Sequence, residues 1–222
     1  MKSHTLIILL SLLMPCTALA QDTTSARYRQ HFEIGAGAGI WSSDELFDGY
    51  EPGLLGMGKR DYINHQYSGA YHINLMCFIS RRISVNVVFE WERESGDWQA
   101  NYNPDHFAYQ TELIGTFSRK AYTLAPEVSY YYYVDPLVKV YCTAGVGVTY
   151  RQEHCEYSQD YINYGNHYGS IRTDYPPGDH DRVQANTYLS PVGFSVANRI
   201  CWFGALGIGY KGILCTGLTV KL

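Results

Sequence analysis

Leu137–Arg151 reads LVKVYCTAGVGVTYR, and from Val138 onward its residues divide by alternate position. Val138, Val140, Cys142, Ala144, Val146, Val148 and Tyr150 make one phase; Lys139, Tyr141, Thr143, Gly145, Gly147, Thr149 and Arg151 make the other. Successive side chains of a strand point to opposite faces, so this run is a strand with one apolar face and one polar face. Ile83–Arg93 (ISVNVVFEWER) divides in the same way, with Ile83, Val85, Val87, Phe89 and Trp91 against Ser84, Asn86, Val88, Glu90 and Glu92. His31–Trp41 sets Phe32, Ile34, Ala36, Ala38 and Ile40 against Glu33, Gly35, Gly37, Gly39 and Trp41.

Working outward, the same rhythm marks Gly69–Ile79, Arg119–Tyr133, Thr187–Ala197, Ile200–Tyr210 and Gly212–Leu222. Most runs reach the ~9–11 residues that a tilted strand needs to cross a bilayer. Ser80–Arg82, Val134–Pro136 and Asn198–Arg199 are tight links, while long polar stretches occupy 42–68, 94–118 and 152–186. Alternating short and long links belong to membrane barrels, whose turns are short on one side and whose loops are long on the other. Three structureless loops of such length would be unusual in a soluble domain.

Composition agrees. Twenty-one tyrosines and 21 glycines, with only 17% charged residues, favour pleated surfaces over helices. The mean hydropathy of −0.22 suits a wall that alternates polar and apolar positions. A net charge of −4 without a basic run excludes a nucleic-acid binder. Lys2, the apolar run Leu6–Met14 and Ala18-Leu19-Ala20 have the form of a cleaved export signal over 1–20, followed by a periplasmic tail at 21–30 and the barrel at 31–222. The remaining cysteines, Cys77, Cys142, Cys155, Cys201 and Cys215, are odd in number and lack zinc or disulfide-framework spacing.

Alternation leaves open which phase points outward, and aromatic placement decides it. In the apolar phase Tyr71, Trp91, Tyr122, Tyr150, Tyr188 and Tyr210 stand at the loop-side ends; Phe32, Tyr130, Tyr132 and Trp202 stand at the turn-side ends. Two belts of rings bracketing aliphatic residues are what the two bilayer interfaces select. The apolar phase is therefore expected to face lipid. Pro126 and Pro191 each remove a ladder donor, and a bulge is the expected remedy. The fold expected is all-β: a closed antiparallel up-and-down transmembrane β-barrel of about eight strands.

The last hairpin, CWFGALGIGYKGILCTGLTVKL from Cys201, resembles the closing hairpin of the small eight-stranded outer-membrane barrels, the family of the OmpA transmembrane domain and the OmpX/Ail group. That resemblance implies a C-terminal assembly signal at Leu218, Val220 and Leu222, read by the barrel-assembly machinery; Leu222 departs from the aromatic residue that usually ends it. It also implies the outer membrane of a Gram-negative bacterium. Gly207–Gly212 spells GxGxxG, but a dinucleotide site needs a following helix, and the ten residues left alternate as a strand. The glycines are read instead as a tight hairpin.

Glu33, Glu90, Glu92, Glu127, Lys139, Arg151 and Lys221 fall in the inward phase. An eight-stranded barrel is just wide enough for side chains to fill it, so these read as a salt-bridged plug, with a narrow pore as the alternative. Glu90 or Glu127 is expected to pair with Lys139 or another inward cation across the lumen. The third long loop carries Tyr157, Tyr161, Tyr164, Tyr168 and Tyr175, a composition suited to adaptable binding. Asp179-His180-Asp181 is a poor metal site, because adjacent residues cannot all point at one ion. A lipid-modifying enzyme would need a nucleophile beside a histidine; the last three runs contain none, leaving His72 and His106. The function expected is structural or surface-binding, without catalysis, cofactor or metal, and with a narrow channel as the runner-up. The partners expected are outer-membrane lipid and lipopolysaccharide and an extracellular ligand, with the protein a monomer.

Overall fold

The structure, a computed structural model, describes residues 31–42, 60–102, 110–157, 178–196 and 199–222. The export signal and tail expected at 1–30, together with most of each long loop, lie outside the described residues. Nine strands follow in chain order: β1 (Phe32–Ile40), β2 (Arg60–Tyr67), β3 (Ala70–Phe78), β4 (Ile83–Tyr102), β5 (Gln110–Val134), β6 (Val138–Tyr157), β7 (Gly178–Val196), β8 (Ile200–Gly209) and β9 (Leu214–Lys221). Each pairs antiparallel with its neighbours, and β1 pairs with both β3 and β9, closing a ring of eight.

The ninth strand, β2, is the upper part of β3. Both pair with β4, through Tyr67↔Glu94 and Tyr71↔Trp91, so one extra residue sits between them. Gly69 takes φ 87° there, a left-handed conformation that a glycine adopts without strain. Ser68 repairs the ladder, since its N–H donates to Arg93 O (3.0 Å) and its Oγ accepts from Arg93 N–H (2.9 Å).

The apolar phase faces outward. Val146 is 64% exposed and Leu189 63%, whereas Glu90 and Glu127 on the other face are 1% and 2% exposed. Such an exterior is stable against hydrocarbon, and closure leaves no unpaired edge within it. At ~3.3 Å per residue and a tilt of ~40°, the run from Tyr122 to Tyr132 rises about 25 Å, the height of an outer-membrane apolar band.

Two tyrosines expected in the outer belt point inward instead: Tyr188 is 3% exposed and Tyr210 1%. The cause at Tyr188 is a bulge. β7 carries an extra residue against both neighbours, between Leu189 and Val192 opposite β8 and between Ser190 and Gly193 opposite β6, which reverses its phase above Pro191. Pro191 thus sits in a bulge, and the groups that the bulge frees are satisfied: Ser190 Oγ donates to Leu206 O (2.7 Å), and Tyr132 Oη donates to Pro191 O (3.1 Å). Tyr210 lies past Gly209 (φ 137°), where the chain has left the strand and turned toward the axis. Pro126, by contrast, keeps register with Val87, and no shift occurs between Leu124↔Val148 and Glu127↔Gly145. There is no bulge at that proline.

The strands also run further than alternation implied. β2, β4, β5, β6 and β7 continue through residues 60–67, 94–102, 110–118, 152–157 and 178–186, within stretches that read as loops. Beyond the aromatic belt the exterior is no longer apolar, so the ladder persists while the apolar phase that advertises it disappears.

Candidate functional site

The lumen is filled in layers. At the inner end Met76, Phe78 and Tyr131 cluster, with Tyr141 packed against them. His31 stacks on Phe78 at 4.3 Å, and Lys139 Nζ lies 4.5 Å from the same ring while donating to Glu33 Oε1 at 2.8 Å. Above this plug is a hydroxyl and amide layer. Asn86 Nδ2 donates to Ser129 Oγ (3.1 Å), which meets Thr143 Oγ1 at 2.8 Å. A cavity of about 40 Å³ opens here, bordered by polar groups that include Glu33, His72, Glu127 and Lys211 and by apolar ones that include Met76 and Phe203, with room for a few waters.

The outer closure comes from the β8–β9 turn. Tyr210 Oη donates to Glu127 Oε1 (2.7 Å), and Lys211 Nζ lies 2.6 Å from the same oxygen and 2.7 Å from Oε2. Tyr210 also packs with Val88, Ala125 and Tyr188. The turn is fixed from both sides: Ile213 N–H donates to Ile40 O (2.9 Å), and Tyr210 N–H donates to Thr187 O (3.3 Å). Gly212, with φ 90°, packs so closely on β1 that a Cβ there would come within 2.2 Å of Ile40 O.

Of the residues expected inward, Glu33, Glu90, Glu92, Glu127 and Arg151 are buried, Lys139 is half-buried, and Lys221 is exposed at the inner mouth beside Glu33. Glu127 meets the inward cation Lys211, while Lys139 meets Glu33 instead. Lys139 stands near the inner rim, and Glu127 several residues above it; alternation reports a residue's face but not which residues share its height. Lys211 was missed because it lies in a turn, outside every periodic run. A second buried group extends the network outward: Arg119 contacts Glu94 (2.8 Å) and Glu153 (3.2 Å), His65 pairs with Glu94, and Tyr67 Oη donates to Glu92 (2.9 Å).

One nucleophile–base neighbourhood does exist. Cys215 Sγ lies 3.9 Å from His72 Nε2. Both are sealed beneath the Tyr210–Lys211 turn, at 2% and 1% exposure, so no substrate reaches them in this conformation. His106 lies outside the described residues. None of the five described cysteines forms a disulfide.

Beyond the outer belt, β4 to β7 continue with β2 as a sheet, while β1, β8 and β9 stop near the belt. Gly178–Asn186 of β7 pair with β6 on one side, and no described strand pairs with their other side. The far side of β2 is likewise without a described strand. On the exterior of this sheet His154 meets Asp179 (2.6 Å) and Glu156 (3.2 Å), and Tyr150 Oη donates to Asp181 (2.6 Å). Asp179, and after it Glu156, hold the His154 imidazole above the ordinary histidine value. Among the described residues no cluster has metal-site geometry. Tyr157 ends β6; Tyr161, Tyr164, Tyr168 and Tyr175 lie outside the described residues. Leu218, Val220 and Leu222 line the exterior at the closing seam, where Leu222 N–H donates to Phe32 O (2.9 Å).

No family model and no curated protein matches this chain. Among solved structures it is similar to the N-terminal β-barrel domain of Pseudomonas aeruginosa OprF, at 12% identity and a TM-score of 0.39 over 86% of this chain and 95% of that one. It is also similar to Ail, the attachment invasion locus protein of Yersinia pestis, at 8% identity and a TM-score of 0.37 over 86% and 93% of the two chains.

Proposed function

We propose that this chain is an integral outer-membrane barrel of a Gram-negative bacterium whose work is surface binding, carried by the part that stands beyond the aromatic belt. The supporting observation is the asymmetric sheet of β2 and β4–β7, which rises past the rest of the wall and leaves strand edges on β2 and β7 without a described strand beside them. A strand edge can accept an extended segment of another protein through main-chain hydrogen bonds, while long loops on a rigid scaffold add side-chain contacts. The lumen supports a structural wall rather than transport, because the inner aromatic plug and the Lys211–Glu127 closure stand in series.

The test replaces 158–177 with a short Gly/Ser link, leaving β6 and β7 whole. Loop closure cost changes slowly with length, so heat-modifiable gel mobility should survive. Proteoliposomes bearing the intact chain should adhere to members of an array of immobilised extracellular proteins, and those bearing the shortened chain should not. A folded intact barrel that adheres to none of them would overturn the binding role.

A further inference from the structure

On the exterior of β4 and β5, Arg93 and Lys120 face each other directly across the ladder, both exposed. Like charges in that position repel, since opposed Cβ atoms are only ~4.5–5.5 Å apart. Neither side chain has a carboxylate partner among the described residues. The next members of the same row are Gln152 and Asp181. Gln152 Nε2 donates to Tyr150 Oη at 3.2 Å, and that hydroxyl occupies Asp181 at 2.6 Å. The nearest acid of the row is therefore two strands away and engaged.

The height of this pair identifies what would neutralise it. One step down the same face lie Trp91 and Tyr122, opposed in register, with Phe89 and Leu124 below them. Phe89 stacks with Trp91 (6.0 Å) and with Tyr122 (6.4 Å), forming an apolar plate that runs into the lipid-facing wall. Aromatic belts sit at headgroup level, so the two cations stand where an outer-leaflet lipid carries its charge. Arginine presents a planar fork to phosphate oxygens, and lysine adds a mobile point charge.

We infer that Arg93 and Lys120 form a binding site for a phosphorylated outer-leaflet lipid of the lipid A class, its phosphate held between the two cations and its acyl chains laid on the plate of Phe89, Trp91, Tyr122 and Leu124. The inference rests on the membrane-barrel reading above and assigns a ligand to one position on its wall.

The test uses the full chain refolded into phosphatidylcholine nanodiscs containing a minority of lipid A. The protein is extracted in mild detergent, and the lipid A retained is counted by mass spectrometry. Arg93→Gln and Lys120→Gln should each lower retention about five-fold. The double variant should retain no more lipid A than the intact protein retains of its phosphate-free analogue, and excess inorganic phosphate should displace little. Equal retention by the double variant, or of the phosphate-free analogue by the intact protein, would overturn the site. Full displacement by inorganic phosphate would also overturn it, by making it a site for a free anion. Boiled and unboiled gel mobility, read on every sample, separates the two hypotheses: no shift in the intact protein defeats the membrane barrel itself, whereas a shift with unchanged retention defeats only the lipid site.

Discussion

Glu127 is 2% exposed, and its two donors, Lys211 Nζ and Tyr210 Oη, arrive on a single turn. Burial makes the arrangement cooperative. Removing one charge strands the other, which costs more than losing both, because the survivor must be desolvated without compensation. Lys211→Met should therefore destabilise the folded barrel by about 3 kcal/mol, and Glu127→Gln with Lys211→Met together by less than the sum of the single changes. The measurement is the urea midpoint of the heat-modifiable band in a double-mutant cycle. Strict additivity would mean that the two groups are separately solvated and that the turn is not fastened by them. Alternation placed Glu127 on the polar face, but nothing in the chain around Gly207–Gly212 signalled that a turn residue would reach back into the lumen. That information lies in the inward bend after Gly209, which periodicity does not encode.

At the scale of strands, legibility tracks the solvent outside. Where lipid lies beyond the wall, each strand must show an apolar phase, and the eight runs were readable to within a few residues. Above the belt that requirement lapses, so the outer ends of β4–β7 read as loops although their ladders continue. The bulge at Pro191 was foreseeable as a remedy for a missing donor, yet its effect on phase misplaced Tyr188. A strand above the belt is held by its ladder and by polar contacts on its faces, and at the end of the β6–β7 pair these include His154 with Asp179 and Glu156. Ser118 is the other register neighbour of His154 and carries no charge. Because the folded state raises the His154 pKa above its ordinary 6.5, its contribution is complete below that value and is lost as pH rises through the elevated one. Amide exchange near Cys155 and Asp179, corrected for intrinsic rates, should quicken over that rise, and His154→Gln should remove the pH dependence. Protection that instead grows with pH would show that this pair does not hold the strand ends together.

For the whole molecule, the wall and the lumen set opposite demands. The wall must be apolar to lie in lipid, so the polar groups gather on the inward face beside a few buried apolar side chains, and a narrow tube of this kind either conducts or locks. Here it locks at two heights. The outer lock is electrostatic, Lys211 on Glu127; the inner one is steric, made by Met76, Phe78, Tyr131 and Tyr141. Between them lies a cavity of about 40 Å³. Two closures in series predict a distinct pattern in planar-bilayer recordings. The intact chain should show no steady conductance. Lys211→Ser should also remain silent, because the aromatic plug still fills the inner end, and Tyr131→Ala should remain silent because the turn still covers the outer end. Only Lys211→Ser combined with Tyr131→Ala should admit small ions, with cations favoured by the buried Glu33, Glu90 and Glu127 that would line the opened path. Conductance from either single variant would mean that one closure alone seals the tube. Steady conductance from the intact chain would mean that both closures open spontaneously, and would put the channel ahead of surface binding.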